Sequence, residues 1–212
     1  MKIGWLLGWA VPEDWFNSLV KNILPNADHG IFPATRAGLT QLEKEPDCDW
    51  FVGYSLGALL LLDNKGHGLT NENYGVAPCK FALLAPIFGF CREDALGGKV
   101  ARAQVRQLSR WLRRDPRAAI GDFYVRAGLD VPPGDLSVPG VEDLAWGLDR
   151  LEGDRVAPPA PAGWRAWCGA EDPFLDAQCL CSISPDVAIV PGAGHHPGPL
   201  VRAFAGRLEA NR

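Results

Sequence analysis

The sequence predicts an α/β protein built on a doubly wound, mostly parallel sheet with a helical insertion late in the chain. Three observations carry this. Apolar segments of strand length alternate with helical patterns over the first 64 residues and again near the end, and continuous apolar strands of this kind mark a parallel sheet covered on both faces. A serine flanked by glycines, "FVGYSLGALLLL" (51–62), stands where one such strand gives way to a helix. From Cys91 to about Val156 strand-like segments stop, and apolar residues recur at helical spacing instead.

The elements follow in order. "KIGWLLG" (2–8) is the first strand: Pro12, Glu13 and Asp14 close its apolar stretch and no small-residue cleavage site follows, so it is not read as an export signal. "WFNSLVKNIL" (15–24) is a helix, "HGIFPA" (29–34) a strand, "LTQLEKE" (39–45) a helix and "DWFVGYS" (49–55) a strand. "LGALLLLDN" (56–64) is a buried helix and "KFALLAPIF" (80–88) a buried strand. The insertion is expected to contain no strand. "VAPPAPAG" (156–163) returns the chain as a stiff extended connector. "WRAWCGA" (164–170) and "DVAIVPG" (186–192) are the last strands, and "PLVRAFAGRLEANR" (199–212) is a closing amphipathic helix. The length fits one domain, residues 1–212, with the helical insertion at about 91–156.

The totals exclude some classes. With 47% hydrophobic and 22% charged residues the chain is globular, not disordered. A formal charge of -4 argues against a surface devoted to nucleic acid. The longest apolar run, Leu56 to Leu62, is far short of the roughly 20 residues that span a bilayer. Six cysteines (Cys48, Cys79, Cys91, Cys168, Cys179, Cys181) without an export signal are expected as free thiols. A soluble cytoplasmic monomer, with no membrane or nucleic-acid partner, is the expectation.

A serine hydroxyl is a weak nucleophile; it needs a base in contact, a group orienting that base and donors for the developing oxyanion. Gly53-Tyr54-Ser55-Leu56-Gly57 is G-x-S-x-G after a strand and before a helix, the context of a nucleophile elbow. The glycines are where side chains would collide with the sharp turn or hold the helix off the strand. "CGAEDPFLDA" places Asp172 in the loop after the next-to-last strand, and "PGAGHHPGPL" places His195 after the last, at the sheet end where catalytic groups gather in open parallel sheets. Asp172 would orient His195, and His195 would take the Ser55 proton. Glu171 and Asp176 are alternative acids, and His196 is an alternative base. The backbone N–H groups of Leu56 and of Trp9, in "LGWAVPED", are the candidate oxyanion donors. His29 and His67 read as structural, His67 in a turn.

Cys179-Leu-Cys181 with His195-His196 offers zinc ligands, but C-x-C on extended backbone beside adjacent, diverging histidines is poor spacing, so no metal is expected. No phosphate-binding glycine motif is present, and no cofactor is expected.

"LLGWAVPEDWF", "FVGYSLGALLLL", "CGAEDPF" and "GAGHHPGPL" resemble the α/β-hydrolase superfamily over nearly the whole chain, including the order Ser…Asp…His. The Gly-Trp of the first loop and the insertion, "CREDALGGKVARAQVRQLSRWLRRDPRAAIGDFYVRAGL", resemble the pimeloyl-[acyl-carrier-protein] methyl ester esterases of biotin synthesis. That resemblance implies a helical lid, hydrolysis of a methyl ester on a carrier-bound acyl chain, Ser55, Asp172 and His195 as the triad, and Trp9 and Leu56 as oxyanion donors. It also implies that lid arginines receive the acidic carrier. Residues 91–127 hold nine bases against four acids, a net of +5, and Arg102, Arg106, Arg110, Arg113, Arg114 and Arg117 largely share one side of a helix. Trp111, Phe123 and Tyr124 are candidates to line an acyl channel or to pack the lid on the core. Two departures stand out: the strand pair that usually precedes the oxyanion-loop strand is missing, implying a trimmed N-terminal edge, and Leu7 replaces the usual histidine before Gly-Trp. A general short-chain esterase, an acyl-carrier thioesterase and a non-catalytic binding scaffold are the competing readings.

Overall fold

The computed structural model describes residues 1–45, 47–64, 80–132 and 138–210; the turn expected around His67, and Cys79, lie outside them. β1 (Lys2–Leu6) runs through α1 (Glu13–Ile23) to β2 (Asp28–Phe32), then α2 (Arg36–Glu43), β3 (Trp50–Tyr54), α3 (Leu56–Asp63) and β4 (Lys80–Leu84). β7 (Arg165–Gly169), α7 (Ala177–Ile183), β8 (Val187–Val190) and α8 (Pro197–Glu209) complete the sheet layer. The six strands lie in the order β2-β1-β3-β4-β7-β8, and every pair is parallel.

The burial pattern follows from that topology. All five residues of β3 are buried, as a central strand covered on both faces requires. β1 leads leftward to β2, while β3, β4, β7 and β8 extend rightward, so right-handed crossovers put α1 on one face and α2 and α3 on the other. α1 and α8 share the first face, where Trp5 meets Phe16 and Phe204 edge-on at 5.5 and 5.8 Å. In α3 every residue from Leu56 to Leu62 is buried, which explains a helix with no polar stripe. The strand order reverses between β1 and β3, and the crevice at their carboxyl ends is the place for a site in such a sheet.

Among the described residues between β4 and β7 stand three helices, α4 (Arg102–Arg114), α5 (Pro116–Ala127) and α6 (Val141–Gly153), with α4 packed on both others. Asp115 caps α5 by accepting from the Ala118 N–H, and Gly128 ends it at φ 65°. The expectation of a strand-free insertion is corrected here. β5 (Gly89–Cys91) and β6 (Gly97–Val100) form a parallel pair around one turn of 3-10 helix at Arg92–Asp94. β6 owes its strand form to tertiary partners: its Lys99 N–H donates to the Phe174 carbonyl and its Gly97 carbonyl accepts from the Asp176 N–H, both at 2.8 Å. Among the described residues no helix is long and apolar enough to cross a membrane.

Candidate active site

Ser55 sits between β3 and α3 with φ 54° and ψ −115°, a left-handed backbone that a serine adopts only when its surroundings impose it. Its N–H donates to the Leu84 carbonyl on β4 at 2.8 Å, and its carbonyl accepts from the N–H groups of Ala58 and Leu59, so both sides of the turn are tied. The flanking glycines are required by contact. A Cβ on Gly57 would stand 2.1 Å from the Leu6 carbonyl oxygen, and one on Gly53 2.7 Å from the Ala58 Cα. The short distances keep α3 close against β1 and aim Ser55 out of the sheet.

The loops after β7 and β8 bring two partners to it. The Ser55 hydroxyl donates to His195 Nε2 across 3.0 Å, and His195 Nδ1–H donates to Asp172 Oδ2 across 2.7 Å. Ser55, His195 and Asp172 are all buried, with Asp172 fully enclosed. A buried carboxylate demands partners, and Asp172 has them: its second oxygen accepts from the N–H groups of Phe174 and Leu175 at 2.8 and 3.1 Å. Phe174 covers the His195 ring edge-on at 5.0 Å. Tyr54, with no signal in the sequence, donates its hydroxyl to the His195 carbonyl at 2.6 Å. Burial first, and the Asp172 charge second, push the Tyr54 hydroxyl well above its ordinary value, so it remains a donor.

The alternatives occupy other roles. Asp176 caps α7, accepting from the N–H groups of Gln178 and Cys179 at 3.0 Å, and Glu171 is exposed. His196 caps α8 through its Nδ1, which accepts from the Gly198 N–H, and its Nε2–H donates to exposed Asp130. Cys179 and Cys181 lie on helix α7, not on extended backbone, and among the described residues no group of three or more His, Cys, Asp or Glu is placed to hold a metal ion. His29 bridges the Trp5 indole N–H and the Leu24 carbonyl, each at 3.0 Å. Cys91, Cys168, Cys179 and Cys181 are free thiols.

The candidate oxyanion donors flank the serine. Leu56 opens α3, where the first N–H groups have no intrahelical acceptor, and neither its N–H nor that of Trp9 meets a backbone acceptor among the described residues. The Trp9 loop is held from above by the insertion. The Trp9 indole N–H donates to the Leu144 carbonyl of α6 at 2.8 Å, its ring meets Phe123 of α5 edge-on at 4.9 Å, and the Tyr124 hydroxyl donates to the Ala10 carbonyl at 2.7 Å. Ala10 itself has φ 55°. Gly147 lets α6 settle on this loop: a Cβ there would lie 2.9 Å from both Trp9 and Leu56.

Beside this cluster, a cavity of about 450 Å³ lies between the insertion and the sheet, walled in part by Trp9, Trp111, Phe123, Leu148 and Phe174. Trp111 and Phe123 thus stand on the cavity wall, whereas Tyr124 is tied to the Trp9 loop. The arginine row divides. Arg102 pairs with Asp94 at 2.6 Å and donates to the Glu152 carbonyl, and exposed Arg106 pairs with Glu152 at 2.6 Å, so these two fasten α4 to its neighbours. Arg113 reaches exposed Glu142 at 3.7 Å. Arg110, Arg114 and Arg117 are exposed, with no carboxylate within 4.0 Å among the described residues.

No family model matches the chain, and no curated protein matches it. Solved structures do. A thermophilic esterase from Thermogutta terrifontis superposes with a TM-score of 0.65 at 14% identity, over 99% of this chain and 90% of that one. An esterase from Rhodococcus sp. ECU1013 gives 0.60 at 17% identity, over 100% and 90%. A type II thioesterase of the yersiniabactin NRPS/PKS biosynthetic pathway gives 0.56 at 15%, over 99% and 91%. The chain has the α/β-hydrolase fold.

Proposed function

We propose that this protein is a serine carboxylesterase that works through an acyl-enzyme. The observation that carries the reading is the unbroken hydrogen-bonded row Ser55–His195–Asp172 at the carboxyl end of the sheet, with the serine on a strained elbow. Ser55 Oγ attacks the ester carbonyl while His195 Nε2 takes its proton, and Asp172 holds the imidazole with Nδ1–H toward itself and stabilises the imidazolium. The tetrahedral oxyanion is met by the N–H groups of Trp9 and Leu56. Collapse expels the alcohol, which receives its proton from His195, and water then cleaves the acyl-enzyme by the same steps in reverse order. The chemistry calls for no cofactor.

The particular substrate we propose is an acyl chain presented by an acidic carrier, with the methyl ester of a pimeloyl carrier as the leading case. Support comes from the exposed bases Arg110, Arg114 and Arg117 on the insertion and from the largely apolar cavity that Leu108 and Trp111 of the same insertion help to line. The esterase and thioesterase names of the structural neighbours fit both this reading and its runner-up, carrier thioester hydrolysis. The test compares hydrolysis of pimeloyl-carrier methyl ester, the corresponding thioester and a p-nitrophenyl ester by the native protein and Ser55→Ala. Preference for the carrier-bound methyl ester, weakened by salt and abolished by the substitution, is the expected result. Turnover of the p-nitrophenyl ester alone removes the carrier, and activity that survives Ser55→Ala removes the mechanism.

A further inference from the structure

The cavity between the insertion and the sheet carries three charged side chains, Lys99, Asp122 and Arg126. Two of them cancel: Arg126 Nε lies 2.7 Å from Asp122, one turn away on α5. Lys99 is different. It is an exposed residue of β6 with no carboxylate within 4.0 Å among the described residues, and its ammonium donates to the main-chain carbonyl of Asp172. An ammonium has three donors and no acceptor, so after that bond two N–H groups remain. Its backbone is also fixed, because its own N–H is bonded to the Phe174 carbonyl at 2.8 Å. The cation is therefore anchored beside the acid loop, on the wall of the cavity.

We infer that this cavity takes the part of the ester substrate that ends in a carboxylate, and that Lys99 is the residue that recognises it. The remaining donors suit a carboxylate: one ammonium offers a point charge and two N–H groups, and Arg126, the planar fork that a phosphate would favour, is already engaged by Asp122. Val100, Leu108, Trp111 and Leu148 supply the apolar wall for an aliphatic chain. A volume of about 450 Å³ corresponds to roughly 15 waters at the density of the liquid, room for a half-ester of a short dicarboxylic acid. The inference rests on Ser55 being the nucleophile that meets the ester end of the same molecule, and it concerns a free half-ester, a second substrate class beside the carrier-bound chain, whose far end is a thioester and offers Lys99 no carboxylate.

The probe is monomethyl adipate against dimethyl adipate, equal in chain and different by one charge, titrated calorimetrically into Ser55→Ala protein so that neither is consumed. The monoanion is expected to bind tighter by about fivefold or more, the upper range of a partly exposed ion pair, and less so as salt rises. Lys99→Met in the Ser55→Ala background is expected to erase the difference and Lys99→Arg to keep it, with unchanged melting temperatures as the folding control. Equal binding of the two esters, binding of neither, or a preference that survives Lys99→Met overturns the inference. Hydrolysis of both esters by the otherwise native protein is read separately. Turnover without charge preference removes the carboxylate subsite and leaves the esterase, whereas charge-selective binding without turnover leaves the subsite and removes the esterase.

Discussion

Replacing Tyr124 by Phe removes one hydroxyl and leaves the ring in place, which makes it a narrow probe of how the Trp9 loop is held. That hydroxyl donates to the carbonyl of Ala10, a residue 1% exposed and held at φ 55°. A buried acceptor left without its donor costs about 1–3 kcal/mol. A left-handed non-glycine backbone already stores about 1–3 kcal/mol and persists only while its surroundings hold it. The loss falls on the loop that carries the Trp9 N–H, one residue away, so under the proposed mechanism it is felt in the transition state more than where the substrate first binds. With 1–2 kcal/mol lost there, kcat is expected to fall about five- to thirtyfold. KM is expected to stay within twofold, and each kcal/mol that also weakens the native state lowers the melting temperature by about 2–4 °C. Steady-state kinetics on a p-nitrophenyl ester, with calorimetric melting beside it, reads all three. A raised KM at constant kcat would show Tyr124 to be a substrate contact, and unchanged kinetics would show that the loop does not lean on the insertion.

Asp172→Asn is expected to lower kcat by about three to four orders of magnitude by presenting the wrong imidazole tautomer. Asp176→Ala, four residues on, should cost only about 1 kcal/mol of stability through the lost cap on α7 and leave turnover in place; urea melts with kinetics separate the two. His29 accepts from the Trp5 indole and is lowered in pKa chiefly by burial, so the folded state resists the proton that the unfolded chain takes near pH 6.5. Its stability contribution is complete above that pH and is lost as pH falls below it, and His29→Gln should flatten the decline in urea midpoint between pH 7.5 and 5. Cys168 is fully buried, with its thiol pushed up to about 12 by burial first and by the Asp172 charge second. It is expected to escape iodoacetamide in the folded protein at neutral pH and to react only after denaturation, as peptide mass mapping would show.

Much of the fold is written locally. Continuous apolar segments and the helical spacing between them mark the six strands and helices α1, α2, α3 and α8, because burial on both faces leaves no alternation to misread; α7, a helix of seven residues around Cys179 and Cys181, carries too short a pattern to be read and corrects the expectation of extended backbone there. The glycines around Ser55 are legible because each answers to a short contact, as at Gly57 against the Leu6 carbonyl. What stays hidden is set by distant partners. Gly-Gly-Lys-Val carries no strand signal, and β6 exists because the acid loop pairs with it. The partners of Arg102 and Arg106 are invisible in sequence, since Glu152, which engages both, lies dozens of residues away on another helix. The choice among Glu171, Asp172 and Asp176 depends on which carboxylate the turn after β7 points inward, and only the folded loop reveals that Asp176 is spent on a helix cap.

The bonds from β6 to the acid loop also define where one part of the molecule stops being exchangeable with another. Phe174, Asp176 and the carbonyl of Asp172 all bond to residues 97–99, so that short strand belongs mechanically to the acid loop and not to the helices that follow it. A chimaera that borrows a different cover must keep Gly89–Val100 with the sheet and exchange only the stretch from α4 to the end of α6. Cutting before β6 would transplant the cover together with a support of Asp172, and a change in turnover would then be misassigned to the substrate path.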